Sequence, residues 1–564
     1  MSNNPSVIRP VIGIDLGTTN CALAYSRGEA IEPFSVPQFV HPGEVREEPL
    51  LPSFLFLEDP PVVGVLAQRK GLENPGRLVS SAKSWLSYAG VDRTAAILPI
   101  AAPEGIERIS PVAASSQYLR SLREAWNTKS PDAPFEAHQV LVTVPASFDA
   151  VARDLTLKAA EHAGYEKVIL LEEPQAAFYA WIAHNPGWRE LVAVGDLILV
   201  IDIGGGTTDF ALISVEDDAG KIALRRIAVG DHILLGGDNI DAALAHHVAE
   251  SLPKLDATQY HALFQHCRIA KERLLAEDNQ DSQLPITILG RGSSVVGKSM
   301  KAQLGRADIV RILNEGFLPT VSIDEEPEEE SGTLTEFGLP YASDPAITRH
   351  LANFLRRQSA APTHVLFNGG VFRAPFVRDR IREILNHWLP QPVTPLVSGD
   401  LMRSVAHGAA YYGLARQGEG VRVRGGVPHS YYIGIETAAP AVPGRRPPFK
   451  ALTVVPFGME EGTGFEFKDR TFVLSVGKRA QFRFFQSSER PQDAPGSLIE
   501  EIDASLDELS PIEALLPSEV HESVPVTLES LVTETGMLEL WFVARDGRRW
   551  KLEFNVRPKK KVLK

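Results

Sequence analysis

Two stretches of this chain, VIGIDLGTTNCAL at residues 11–23 and LVIDIGGGTTDFAL at residues 199–212, carry nearly the same pattern. Each runs apolar-Ile-Asp-apolar-Gly, then Thr-Thr, a polar residue and Ala-Leu. Copies so far apart in sequence do not make a solenoid; they predict two similar lobes. The run Ile198–Ile203 is β-branched, apolar and short, which suits a buried strand. The glycines after it would spoil a strand or a helix, and two readings explain them. One is a β-bulge or tight hairpin; the other is bare backbone N–H groups facing an anion, with Thr hydroxyls as further donors. The second copy favours the anion. Two strand-turn-strand hairpins can grip one phosphate chain from opposite sides, each adding a carboxylate, Asp15 or Asp202, as Mg²⁺-bound phosphates require.

The bulk properties narrow the class. A chain of 564 residues with 44% hydrophobic content can fill two to four domain cores. A net charge of −14 argues against a general binder of nucleic acid or anionic membrane. Two cysteines, Cys21 and Cys267, fit a reducing compartment with no disulfide framework or zinc cluster. The start MSNNPSVIRPVIGID has no basic-then-apolar leader, and no apolar run reaches the length of a membrane span. The expectation is a cytoplasmic protein.

Strand-like and helix-like patterns alternate over the first four hundred or so residues, as in α/β architecture. Val140–Val144 reads as a strand, a helix follows from about Asp149 and stops at Gly164, and Val168–Leu171 reads as the next strand. ARQGEGVRVRGGVP, after Leu414, reads as an exposed connector. Beyond it GFEFKDRTFVLSV, AQFRFF, VPVTLESL, MLELWFV and WKLEFNV predict a small antiparallel β domain, with a hairpin at Asp546-Gly547. The acidic runs at 323–332 and 491–517 read as solvated surface, the second with one short helix.

These hairpins resemble the phosphate motifs of the actin, sugar-kinase and heat-shock ATPase superfamily, and within it the chain resembles the 70-kDa heat-shock chaperone family. LVTVPASFDAVARDLTLKAAEHAGYEKVILLEEPQAAFYAW is similar to that family's Val-Pro-Ala-x-Phe segment and Glu-Pro-x-Ala-Ala helix. GDHILLGGDNID resembles its Leu-Gly-Gly motif, one residue longer, and LFNGGVFRAPFV its adenosine motif. The resemblance implies duplicated actin-like ATPase lobes at 1–416, with lobe I at about 1–194 plus 396–416 and lobe II at about 195–395. A linker at 417–426 and a β-sandwich-like domain at 427–564 follow. The family's helical lid and acidic, leucine-rich linker have no counterpart here; VRVRGG stands in the linker's place.

The resemblance also implies roles. Asp15 and Asp202 would hold waters around Mg²⁺, and Gly17, Thr18, Thr19, Asn20, Gly204, Gly205, Gly206, Thr207 and Thr208 would wrap the phosphates of ATP. Thr207 would lie near the γ-phosphate and Asp209 would order water. Glu173 would join the metal and water network; its plain alternative is a helix N-terminal acid. Lys83 would neutralise charge on the transferred phosphoryl group, against the alternative of an ordinary surface lysine. Gly236, Gly237, Lys271, Gly369, Gly370 and Arg373 would border the nucleoside, with Arg373 stacked on the base. Glu272, Leu275 and Val371 depart from the family pattern and alter the adenine pocket.

GSSVVGKS at 292–299 satisfies the G-x-x-x-x-G-K-[ST] pattern of another ATPase fold, but its β-branched run reads as a strand paired to PITIL. The leading reading is an ATP-driven chaperone-like protein acting on unfolded polypeptide or a dedicated partner, with co-chaperones implied by the family. A nucleotide-switched adaptor and a small-molecule kinase on the same lobes are the alternatives. A short linker with two valines predicts little apolar docking and weak coupling.

Overall fold

The duplicated segments become the first two strands of two sheets with the same wiring. This is seen in a computed structural model that describes residues 9–554 apart from 89, 101, 103, 219, 232, 289–298, 329–338, 340, 424–425, 428, 437–448, 461, 477–478, 504, 510–511, 516–521 and 534–537. In the first sheet Val11–Leu16 pairs antiparallel with Asn20–Arg27, which pairs with Ala30–Phe34; on its other side lie the parallel strands Gln139–Val144 and Val168–Glu172. The second sheet repeats this with Leu197–Ile203, Thr208–Asp218 and Lys221–Val229, then the parallel strands His364–Asn368 and Thr394–Leu396. The central strand of each is buried on both faces, as continuous apolar runs with covering helices demand.

The expected strand-helix-strand unit is present with small shifts at its ends. The helix runs Ala150–His162, with the Asp149 side chain accepting from the Ala152 N–H at 2.7 Å as N-cap, and Gly164 takes the turn at φ +86°. Glu173–His184 opens directly from the strand Val168–Glu172 and packs with Ser404–Arg416 against the first sheet.

Residues 430–554 form two antiparallel sheets. One holds Ser430–Glu436 between Phe449–Val455 and Phe484–Ser487; the other holds Glu522–Val532, Leu538–Ala544 and Arg549–Phe554. Tyr431, Ile433, Leu452 and Val454 of the first share a core with Val526, Leu528, Leu540 and Phe542 of the second. The architecture is therefore mixed α/β with a terminal β portion. Gly547, at φ +89°, turns the expected hairpin.

Several expectations change. The helix expected in 491–517 is absent among the described residues, which form the short strands Leu498–Ile499, Asp507–Glu508 and Ile512–Leu515 instead. The strand containing PITI pairs with Met300–Gly305, so the partner lies further along the chain; Lys298 and the rest of 292–298 lie outside the described residues. The exposed connector is docked. Val423 is 3% exposed in the core shared by Val11, Tyr179 and Ala409, and its N–H donates to Tyr179 Oη at 2.8 Å. Two valines between arginines suffice because each turns inward while Arg422 points out.

The connector continues into a buried polar junction. Glu172 accepts from Arg153 at 2.8 Å and from Arg226, whose other arm donates to the Gly426 carbonyl. His429, 3% exposed, lies beside both arginines, and Ala150 packs into the β core. On the other half Arg357 pairs with Asp231 at 2.7 Å and with Glu489. Burial, then Arg153 and Arg226, hold His429 down at about 3, against an ordinary 6.5. An unfolded chain therefore takes up a proton below pH 6.5 that the folded protein refuses, so stability falls as pH drops through that window. Parent protein should lose up to ~1.4 kcal/mol per pH unit more than His429→Gln in urea titrations between pH 6.5 and 5.

Candidate functional site

The two hairpin turns face each other across a cleft of about 610 Å³ between the sheets. Asp15 and Asp202 each sit near the end of a central strand, so identical register brings two carboxylates to the same place. Glu173, the first residue of its helix, and Lys83, in the short helix Ala82–Ser87, complete the floor. Lys83 is 5% exposed and donates to Glu173, so it is no surface lysine. Glu173 is accordingly an ion-pair partner rather than an unpaired helix-end acid.

The electrostatics follow from burying so many acids together. Burial, then Glu173, lift the Asp15 carboxyl to about 7, opposed by Lys83 and by the Thr143 hydroxyl at 3.3 Å. Asp202 is pushed well up by burial and Glu173, against a donor from Asn368 at 2.7 Å. Asp209 is raised by burial despite donors from Ser147, at 2.7 Å, and Thr207. Burial pulls the Lys83 ammonium down, but Glu173, Asp15 and Asp209 outweigh it and leave it above its ordinary value. The floor therefore gathers more acids than its one ammonium can balance, and burial favours their protonated forms until another cation arrives.

The turns bring backbone close. A Cβ at Gly205 would stand 1.8 Å from Thr19 Oγ1 of the opposite hairpin. Gly369, at φ +92°, would put one 2.3 Å from the Ile203 carbonyl and 2.6 Å from Asp202 Oδ1. Both positions need glycine.

Asp15, Gly17, Thr18, Thr19, Asn20, Lys83, Glu173, Asp202, Gly204, Gly205, Thr207, Gly237, Lys271, Gly369, Gly370 and Arg373 all line the cleft. Gly206, Asp209 and Gly236 stand behind that lining; Gly236 packs on the carbonyls of Gly204 and Gly205. Thr208 is a correction. Its hydroxyl turns away and donates to the Leu235 carbonyl at 2.7 Å, because alternation along its strand points it inward. Lys271 lines the cleft but pairs with Asp241, at 2.7 Å, while Arg373 is exposed at the rim.

Other residues escaped sequence reasoning. Arg268 bridges Asp238 and Asp241, the latter at 2.8 Å, and Ser81 Oγ reaches Asp238 across the cleft at 3.5 Å. The signal was available: Asp238 and Asp241 share a helix face, as do Arg268 and Lys271 on the next helix. Ser147 and Ser404 left no such trace, and Asn368 lies in LFNGGVFRAPFV just before the glycines that carry that resemblance.

The model for the Hsp70 protein family matches residues 11–321, more than half of the chain. The chain belongs to the Hsp70 family. It is similar to the chaperone protein HscA homolog of Cupriavidus necator, 32% identical over 296 residues that cover 50% of this chain and 44% of that protein. It is 30% identical to the homolog of Bordetella pertussis over 53% of this chain and 46% of the relative. Chaperone protein HscA of Cronobacter sakazakii is 26% identical over 73% of this chain and 59% of its own length. The chain thus aligns with about half the length of its curated relatives. Among the described residues no helix is long and apolar enough to cross a membrane.

The acidic floor of this Hsp70-family cleft has a thermodynamic signature. A carboxyl raised to about 7 holds a proton in the folded state that the unfolded chain releases near 4. Stability is therefore lost as pH rises from about 4 to 7 and stays lost above. Ligand-free Asp15→Asn should melt higher than the parent at pH 8, with the gain shrinking toward pH 5, as read by calorimetry.

Proposed function

We propose that this chain is an ATP-dependent, chaperone-like protein that binds Mg-ATP between its two halves and hydrolyses it slowly. The nucleotide state regulates contact between the β portion and an unfolded polypeptide or dedicated partner, with co-chaperones as in the family and a cytoplasmic setting. The observation that carries this reading is the under-neutralised carboxylate floor facing two Gly-Thr turns in one cleft.

The donor set fits a Mg²⁺-bound phosphate chain. Among the described residues no three acids, histidines or cysteines converge to hold a metal by themselves, so the protein's share would be outer contacts from Asp15 and Asp202 through water. Mg²⁺, when bound, supplies positive charge at the phosphate oxygens. The turn backbones of Gly17, Thr18, Thr19, Gly205 and Gly206 would face those oxygens, while the Gly204 N–H closes its own turn on the Thr207 carbonyl at 2.9 Å and the Thr207 hydroxyl serves Asp209. Lys83, fixed by Glu173, stabilises charge growing on the transferred group. Asp209, oriented by Ser147, orders water at the floor. Lys271, Gly237, Gly369, Gly370 and Arg373 border the nucleoside.

Lys83→Ala and Asp202→Asn should each slow single-turnover hydrolysis by about two to three orders of magnitude, the scale of one lost transition-state contact. Lys298→Ala should leave ATP affinity nearly unchanged. Unaltered turnover in the first two variants would sink the reading. Turnover insensitive to unfolded polypeptide would favour the adaptor, and turnover raised by a sugar the kinase.

Burial of Val423 supports firmer coupling than the VRVRGG composition suggested. Val423→Ser removes apolar contact and should change the ratio of polypeptide affinities with ATP and with ADP by about tenfold, or ~1.4 kcal/mol. Val45→Ser, at an exposed valine of the first half, serves as the unchanged control.

A further inference from the structure

Asn368 and Ser404 stand beside the cleft carboxylate Asp202; Asn368 directly precedes the Gly369-Gly370 pair, and Ser404 lies in no motif singled out from the sequence. Asn368 closes the buried strand His364–Asn368, and parallel register sets it next to Asp202. It is 2% exposed. Its Nδ2 donates to Asp202 Oδ2 at 2.7 Å, and its Oδ1 accepts from Ser404 Oγ at 2.6 Å. The reverse amide orientation would aim a carbonyl oxygen at the ionised carboxylate, so the acid in its charged form fixes which end of the amide faces it, and the serine hydroxyl meets the other end. Asp202 accepts no other hydrogen bond among the described residues, which leaves Oδ1 beside the Gly369 backbone at the cleft wall.

We propose that Asn368 and Ser404 are positioning residues that hold the Asp202 carboxylate in the orientation needed to meet the water shell of a phosphate-bound divalent cation. The inference rests on the reading of Asp202 given above and goes beyond it by naming what aims the acid. A free aspartate side chain rotates about χ2 at little cost, because that torsion is broad. Tying Oδ2 to a buried amide removes the freedom. Ser404 opens the helix Ser404–Arg416 on the first sheet, whereas Asn368 and Asp202 belong to the second. The hydrogen-bonded chain therefore crosses from one half to the other, so the aim of the carboxylate depends on how the halves are set.

The test uses the full chain and a fluorescent ADP analogue, titrated with Mg²⁺ and, separately, in EDTA. Asn368→Leu, close in volume but without the donor, should raise the Mg²⁺ concentration for half-maximal binding roughly tenfold, the scale of one hydrogen bond to a charged acceptor. Affinity in EDTA should stay within about twofold of the parent, since the metal-free ligand does not use the aim of Asp202. Ser404→Ala, which keeps the amide but loosens it, should raise the half-saturation by a smaller factor, and Ser404→Thr should restore it. An unchanged Mg²⁺ requirement in both Asn368→Leu and Ser404→Ala overturns the proposal. So does a loss of affinity in EDTA equal to that in Mg²⁺, which would mark plain packing. Asp202→Asn separates the two levels: if it raises the Mg²⁺ requirement and Asn368→Leu does not, only the positioning role falls. If Asp202→Asn leaves the requirement unchanged, the reading of the carboxylate falls and takes this inference with it.

Discussion

Four acids, Asp15, Glu173, Asp202 and Asp209, are gathered around a single buried ammonium, Lys83, and the fold is arranged to make that possible. Such a cluster is costly in the absence of compensating charge, since burial and mutual repulsion both disfavour ionised carboxylates. Two sheets of identical wiring supply two of the acids by symmetry, a helix start supplies the third, and the hairpin partner of Asp202 supplies the fourth. Ser147, Thr143, Thr207 and Asn368 each satisfy part of the burden with a donor. A site held in this condition is poised for cationic company.

The strand Val168–Glu172 ends in one acid and the helix that follows opens on another, and their surroundings diverge. Glu173 meets Lys83 in the cleft, whereas Glu172 meets Arg153 and Arg226 beneath the connector. The chain passes from strand to helix between them, so one peptide unit separates the cleft floor from the junction with the β portion.

Much of this was legible in the sequence, and the reasons differ from residue to residue. The duplicated Ile-Asp-apolar-Gly pattern named Asp15 and Asp202 because strand periodicity and turn glycine are local properties. Lys83 and Glu173 were named by family resemblance, but their mutual ion pair joins distant segments and has no local signature. Thr208 was misplaced because a Thr-Thr pair does not say which member the strand turns inward. Val423 was underrated for a similar reason: composition counts apolar residues, whereas burial depends on whether each one faces a receptive surface such as that around Tyr179. Asn368 and Ser404 carry meaning only once two parallel strands and a remote helix are adjacent.

The docked connector also says where this molecule can be divided. A cut after Arg416, the last residue of its helix, follows the pattern of elements but not the pattern of contacts. It would strip Val423 from its seat, remove the Val423 N–H from the Tyr179 hydroxyl and take the Gly426 carbonyl away from Arg226. The two-sheet part thus takes Val423 and Gly426, both beyond its final helix, into its own surface. Its natural edge lies past Gly426, and any recombination of this β portion with another core would have to carry that strip along with the core, not with the sheets it precedes.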